Sequence, residues 1–155
     1  MHDPAPVVRR ASGRAVAGAV VVGAVCSLLT ACDPAPPRIE VTAAQVPAPA
    51  SPDVAAAYLT VHNSGGSTAV LRSIESPDAT SVGIHRTVID ASGRATMTSQ
   101  ASVDVPAGST VRFEPGGLHV MLVHPKPVAV GDTVKLTLRF DRLGPVAVAA
   151  KVTPG

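Results

Sequence analysis

The feature that most constrains the fold of this chain is a short-range alternation of apolar and polar residues. It is cleanest from Val134 to Phe140, where every second residue is apolar. A period of two is typical of a β-strand with one buried face. Similar short segments recur after Cys32 and are separated by Gly- and Pro-rich turns, and none of them combines a helical period with capping residues. The pattern predicts an all-β domain, a β-sandwich or Greek-key barrel of about eight or nine short strands.

The front of the chain has the layout of an export signal. Three arginines precede an uncharged apolar run from Ala15 to Leu29, which is too short to indicate a membrane span. The run ends in Leu29-Thr30-Ala31-Cys32, which resembles the bacterial lipobox, in which the cysteine is lipidated and becomes the new N-terminus. We therefore predict a lipoprotein signal peptide over residues 1–31 and a lipid anchor at Cys32. An ordinary secretory peptide that contains a cysteine is the alternative.

The remaining boundaries follow from composition. A Pro-rich tether is predicted over residues 32–37, because such segments are extended and semi-rigid. The domain proper is predicted over residues 38–155, on the extracytoplasmic face of the membrane in the cell envelope. The two cysteines of the chain are Cys26 and Cys32, so this domain has neither a thiol nor a disulfide. Any metal site in it must use His, Met, carboxylate or backbone ligands.

Charge excludes one class of partner. Of thirteen Lys and Arg residues three precede Cys32, and of eleven Asp and Glu residues one does. The rest of the chain therefore carries no formal net charge. It also has no basic cluster with interleaved aromatic residues, so we do not expect it to bind nucleic acid.

One strand carries half of a soft-metal site. In the segment from Gly116 to Leu122, the apolar residues Leu118, Val120 and Leu122 alternate with His119 and Met121. His119 and Met121 must then project together from the opposite face. An imidazole and a thioether two residues apart are ligands that a soft metal ion prefers.

The other half of the predicted site comes from a hairpin. His85 and Met97 flank the Asp90–Gly93 turn almost symmetrically, so antiparallel pairing would place them opposite or diagonal to each other. Taken singly, a methionine is usually core filler and a histidine a surface or satisfied core residue. After the initiator, however, Met97 and Met121 are the only methionines of the chain. We expect the other two domain histidines, His62 and His124, not to be ligands.

These four residues also carry a family resemblance. The order and spacing of His85, Met97, His119 and Met121 resemble the periplasmic copper chaperone family PCu(A)C. The flanking segments from Ala55 to Asn63, Pro115 to Leu122 and Gly131 to Leu138 also look like that family. The resemblance covers roughly residues 39–152. It implies a cupredoxin-like β-barrel that binds Cu(I) through these two His and two Met side chains.

The resemblance also implies a partner. The family is implicated in delivering copper to the binuclear copper centre of cytochrome c oxidase. The acceptor would then be a protein such as cytochrome c oxidase subunit II or a thiol protein that assists its assembly. Members of the family often have a further methionine just after the first histidine, where this chain has Arg86 and Thr87. Some have a His/Met-rich tail that handles Cu(II), and this sequence has none, so we do not expect a second copper site.

Three other functions are alternatives to a copper chaperone. A metal-independent β-sandwich lipoprotein with a structural or interaction role is the main alternative, and copper titration distinguishes the two. A blue-copper electron carrier needs a Cys thiolate, which the domain lacks. An enzyme is not expected, because no nucleophile elbow, paired-carboxylate motif or thiol nucleophile is visible.

Overall fold

The computed structural model describes residues 33–155, and within that range the chain forms ten β-strands and no helix. The expected all-β class is confirmed, with ten strands instead of eight or nine. No helix in this range is long and apolar enough to cross a membrane. The strands are β1 Ile39–Pro47, β2 Val54–Asn63, β3 Ala69–Glu75, β4 Ala79–Ile89, β5 Ala95–Ser99, β6 Val103–Val105, β7 Thr110–Phe113, β8 Leu118–Pro125, β9 Thr133–Phe140 and β10 Val146–Thr153.

The strands follow one hydrogen-bonded path in the order β5-β4-β8-β2-β1-β10-β9-β3-β6, and β7 pairs with β2 beside this path. The pairing of β1 with β10 is parallel, and the other pairings are antiparallel. Neighbours on this path are often distant in sequence, as in Greek-key connections. The central position of β8, between β4 and β2, brings the second half of the chain against the β4–β5 hairpin.

The core is built from the apolar members of the alternating segments. In β9, Val134, Leu136 and Leu138 are at most 2% exposed, while the intervening residues face outward. In β8, Leu118, Val120 and Leu122 are likewise buried, as their spacing predicted. Burying a side chain of this size stabilises the fold by about 1.5–3 kcal/mol. The core-facing side of β8 is therefore fixed by packing, and this also fixes the positions of the residues on its opposite face.

One buried amide ties several loops to the end of β2. Asn63 is fully buried, and its Oδ1 accepts hydrogen bonds from the backbone N–H groups of Arg38 (3.1 Å) and Gly65 (3.0 Å). Its Nδ2 donates to the carbonyls of Ser67 (2.8 Å) and Val105 (2.9 Å). All the hydrogen-bonding capacity of the amide is used, which is the condition under which a buried polar group is tolerated.

The first strand is longer than the sequence indicated. In the sequence, apolar and polar residues alternate only over residues 38–42, which indicates a short strand, whereas β1 continues to Pro47. Ala43 has a φ of 51°, and the pairing with β2 shifts register between Thr42 and Gln45. This β-bulge interrupts the alternation of apolar and polar residues. The sequence pattern therefore stops at the bulge, although the strand continues beyond it. The predicted signal peptide and Cys32 lie outside the described residues, and the boundaries at residues 31 and 37 stay predictions.

Candidate metal centre

The strands β5, β4 and β8 are adjacent, and their register places the four predicted ligands on one face. His85 is paired directly with His119, and Gly83 with Met121, across β4 and β8. Met97 on β5 is paired with Thr87 of β4. Directly paired residues project from the same face, as do alternate residues of one strand. His85, Met97, His119 and Met121 therefore share one surface of the sheet.

The two histidines are in direct contact range. Their ring centroids are 6.1 Å apart, and the ring planes make an angle of 30°, so the imidazoles are stacked. His85 is half-buried, and His119 is 8% exposed. Two imidazoles side by side, from adjacent strands, can supply two nitrogen ligands to one ion.

The ring of His119 is oriented by the backbone. Its Nδ1 lies 3.1 Å from the carbonyl oxygen of Gly117. Because a carbonyl only accepts, Nδ1 carries the proton in this hydrogen bond, which leaves the lone pair on Nε2 for a metal ion. The same carbonyl accepts the backbone N–H of Thr87 at 3.1 Å, so it also joins β8 to β4. Such backbone acceptors are the usual means of orienting a metal-binding histidine.

The two methionines have different settings. Met121 is half-buried on β8, opposite Gly83 and, on the other side, opposite Ala56 of β2. Met97 is 61% exposed and lies diagonal to His85, which was one of the two arrangements predicted. Within residues 33–155, β5 pairs only with β4 and forms the end of the path. One thioether is thus embedded in the sheet, and the other is carried on an edge hairpin.

The turn of this hairpin is organised by Asp90. Its carboxylate accepts hydrogen bonds from the hydroxyl and the N–H of Ser92 and from the backbone N–H of Arg94, and it forms a 3.0 Å ion pair with the Arg94 side chain. These contacts, led by the Ser92 hydroxyl, lower the pKa of Asp90 to about 2. The turn that aligns β5 with β4 is therefore stabilised by an ionised carboxylate.

The two remaining histidines of residues 33–155 lie elsewhere. His62 is near the far end of β2, and its Nδ1 is 3.0 Å from the hydroxyl oxygen of Thr110 on β7. His124 is exposed near the end of β8, with a φ of 45° that breaks the alternation of the strand. Neither residue takes part in the β4–β5 or β4–β8 pairs that carry the four predicted ligands, and that they do not bind metal stays a prediction.

The donor set decides which ions this face suits. No group of three or more His, Cys, Asp or Glu side chains in the described part of the chain could hold a metal ion. Sites for zinc, calcium or magnesium use such groups. Two imidazoles and two thioethers are instead neutral and partly soft, which favours Cu(I). The residues present on this face therefore fit a monovalent soft ion.

One residue at this site was missed by sequence reasoning. Gly83 lies beside His85 on β4 and opposite Met121. Its signal was available, because it is the single glycine that falls inside a strand within residues 33–155.

Sequence comparison gives two matches of family level. A family model described as "Putative lipoprotein LpqE-like" matches residues 39–152. A protein of Leifsonia xyli subsp. xyli (strain CTCB07), "Putative lipoprotein Lxx21020", is 35% identical over 116 residues. That alignment covers 73% of this chain and 69% of the relative.

Structure comparison gives two informative neighbours. The copper-bound PCuAC domain from PmoF2 aligns with a TM-score of 0.64 and 27% identity, over 79% of this chain and 99% of that domain. The solution structure of CuI-DR1885 from Deinococcus radiodurans aligns with a TM-score of 0.59 and 31% identity, over 78% of this chain and 81% of that one. These alignments confirm the resemblance to PCu(A)C domains and the expected cupredoxin-like fold.

Proposed function

Because this chain belongs to the LpqE-like lipoprotein family, we propose that it is a copper metallochaperone whose cargo is one Cu(I) ion. The proposed ligands are His85, Met97, His119 and Met121. The observation that carries the proposal is the register of β5, β4 and β8, which sets these four side chains on one face. The solved neighbours support it, since one is a copper-bound PCuAC domain and another is a Cu(I) form.

The ligand chemistry suits a carrier. A thioether binds Cu(I) without having to lose a proton, so it stays a ligand at acidic pH, where a thiol is protonated. It also cannot be lost to a disulfide in an oxidising compartment. Four neutral ligands leave the single positive charge of the ion uncompensated. An anionic thiolate acceptor can therefore take the ion from this site, and the protein acts as a carrier and not as an enzyme.

The different exposure of the two methionines indicates how an acceptor protein would reach the bound ion. His119 and Met121 are supported by the buried residues beneath β8, so they form the firm part of the site. Met97 is 61% exposed on an edge strand, so it is the ligand that an incoming acceptor reaches first. Displacement of the Met97 thioether by a partner thiolate is the first step we propose for transfer.

The proposed location is the outer face of the membrane, with a lipid anchor on Cys32. The family and the Leifsonia relative are both described as lipoproteins. A single acyl chain binds a membrane only weakly, so stable attachment needs at least two chains. The proposed acceptor is a copper protein of the same compartment, such as cytochrome c oxidase subunit II or an assembly thiol protein. Cys32→Ser should move the protein out of the membrane fraction, and unchanged attachment would contradict the anchor.

The test of the chaperone function is an anaerobic Cu(I) titration of residues 33–155 against a competing chelator. This segment contains no cysteine, so thiols cannot contribute to the measured affinity. We expect one tightly bound equivalent of Cu(I), and no comparable binding of Zn²⁺ or Mg²⁺. A domain that stays folded and takes up no Cu(I) would instead be a metal-independent β-sandwich lipoprotein.

A further inference from the structure

We propose that Gly83 is a positioning residue of the copper site, and that it acts by leaving the space in which the imidazole of His85 lies. This inference rests on the proposed function for its consequence in copper binding. Its geometric part concerns the metal-free protein and can be tested separately.

The space beside Gly83 is occupied by the ring of His85. A Cβ built on Gly83 would lie 2.7 Å from Nε2 and 3.1 Å from Cδ2 of His85. A Cβ atom essentially never lies within 3.0 Å of such a neighbouring heavy atom, so any side chain at position 83 would displace the ring. The imidazole therefore lies back along its own strand, over the α-carbon of Gly83.

The backbone of residue 83 does not itself require glycine. Four glycines in the described range have positive φ values, and Gly83 is not among them. A glycine inside a strand costs conformational entropy and weakens the strand relative to alanine. At this position the absence of a side chain is what distinguishes glycine from other residues.

The direction in which His85 leans matters for the site. Gly83 is paired with Met121, so the ring of His85 lies toward the Gly83–Met121 pair. The ring of His119 is hydrogen-bonded in the opposite direction along β8, from Nδ1 to the carbonyl of Gly117. A side chain at position 83 would push the His85 ring toward Thr87, away from Met121. The nitrogen of His85 would then no longer face the same point as the Met121 thioether.

The chain provides a matched control for this idea. Gly144 also lacks a positive φ, and a Cβ built on it meets no atom within 4 Å. Gly83→Ala and Gly144→Ala therefore make the same chemical change, with and without a displaced neighbour. We expect Gly83→Ala to weaken Cu(I) by about tenfold, the lower end of the effect of residues that orient metal ligands. We expect it not to lower the melting temperature, and Gly144→Ala to leave the Cu(I) affinity unchanged.

A double-mutant cycle separates positioning from a general structural effect. If Gly83 acts through His85, Gly83→Ala should cause no further loss of Cu(I) affinity in a His85→Ala background. The proposed role would be overturned if Gly83→Ala lowered the Cu(I) affinity equally in the wild type and in His85→Ala, or did not lower it in the wild type.

The proximity of the His85 ring to Gly83 can be measured in the metal-free protein by nuclear Overhauser effects. We expect contacts between the His85 ring protons and the α-protons of Gly83 in the wild type, and their loss with a shift of the ring resonances in Gly83→Ala. Absence of these contacts in the wild type would overturn the inference. If the contacts are present and wild-type protein binds no Cu(I), it is the chaperone function that fails, and with it the copper role of Gly83.

Discussion

His85 and His119 face each other directly across β4 and β8, with stacked rings whose centroids are 6.1 Å apart. This pair is the centre of the candidate site, because the two methionines lie on either side of it. Met121 is two residues further along β8, and Met97 is diagonal to His85 on the edge strand β5. The site thus combines a firm part within the sheet and a more exposed part on a hairpin.

The first prediction is an unequal loss of Cu(I) affinity in alanine variants of the ligands. His119→Ala and Met121→Ala should lower the Cu(I) affinity by about 100-fold or more, since even residues that only orient ligands change metal affinity by about 10–100-fold. Met97→Ala should lower the Cu(I) affinity less, by about tenfold, because the hairpin can readjust. Competition with a Cu(I) chelator measures these losses.

The controls for this series are the two histidines away from the site. His62→Ala and His124→Ala should bind Cu(I) as the wild type does. If they weaken binding as much as His119→Ala, copper is not held on the β5–β4–β8 face.

The second prediction concerns stability and separates a ligand from core filler. Met97 is 61% exposed, so Met97→Ala should change the free energy of unfolding by no more than about 0.5 kcal/mol. Leu122 is fully buried in the strand that carries Met121, and Leu122→Ala should cost about 2–5 kcal/mol. Urea unfolding of the metal-free domain measures both. A large destabilisation by Met97→Ala with unchanged Cu(I) affinity would assign Met97 to packing.

The third prediction concerns the buried amide of Asn63. Asn63→Ala leaves the carbonyls of Ser67 and Val105 and the N–H groups of Arg38 and Gly65 without their partner. Unsatisfied buried groups cost about 1–3 kcal/mol each, and water can reach some of them, so we expect a loss of about 2–4 kcal/mol. Thermal unfolding measures the loss.

A matched control for Asn63 lies in the loop that follows β2. Ser67 contributes its backbone carbonyl to the network, so Ser67→Ala keeps that hydrogen bond and should change stability by less than about 0.5 kcal/mol. Equal effects of the two substitutions would mean that the amide network is not what stabilises this end of β2.

Much of this architecture is encoded in local patterns, and the remainder is not. The alternation in β8 and the Asp90–Gly93 turn were enough to predict that His119 and Met121 share a face and that Met97 lies opposite or diagonal to His85. The register of β4 and β5 shows that it is diagonal. The pairing of β4 with β8 could not be read from sequence, because it joins segments more than thirty residues apart through the packing of the whole domain. The C-terminal half of β1 could not be predicted, because the bulge at Ala43 interrupts the alternation of apolar and polar residues.

The fourth prediction concerns pH and the hairpin turn. The pKa of Asp90 is lowered from 3.8 to about 2 in the folded protein, first by the Ser92 hydroxyl and then by backbone N–H groups. A carboxyl group with a lowered pKa stabilises the fold above its unfolded pKa, and this contribution is lost as the pH falls through the folded pKa. The hairpin should therefore loosen as the pH falls from about 4 to about 2. Amide exchange of β5 measures this, and Asp90→Asn should remove the dependence.

The partial control for this pH effect is Ser92→Ala, which deletes the hydrogen bond that contributes most to lowering the pKa of Asp90. It should move the loosening of β5 to higher pH without abolishing it. Protection of β5 that stays constant over the same pH range in the wild type would contradict the role of Asp90.

The most direct test of the central claim is copper X-ray absorption of Cu(I)-loaded residues 33–155. In this segment the only sulfur atoms belong to Met97 and Met121, because it contains no cysteine. A sulfur shell around the copper can therefore arise only from these two thioethers. We predict a mixed shell of sulfur and imidazole nitrogen that loses sulfur in Met97→Ala and loses more of it in the double variant with Met121→Ala. A first shell of nitrogen and oxygen alone, unchanged in both variants, would contradict the account.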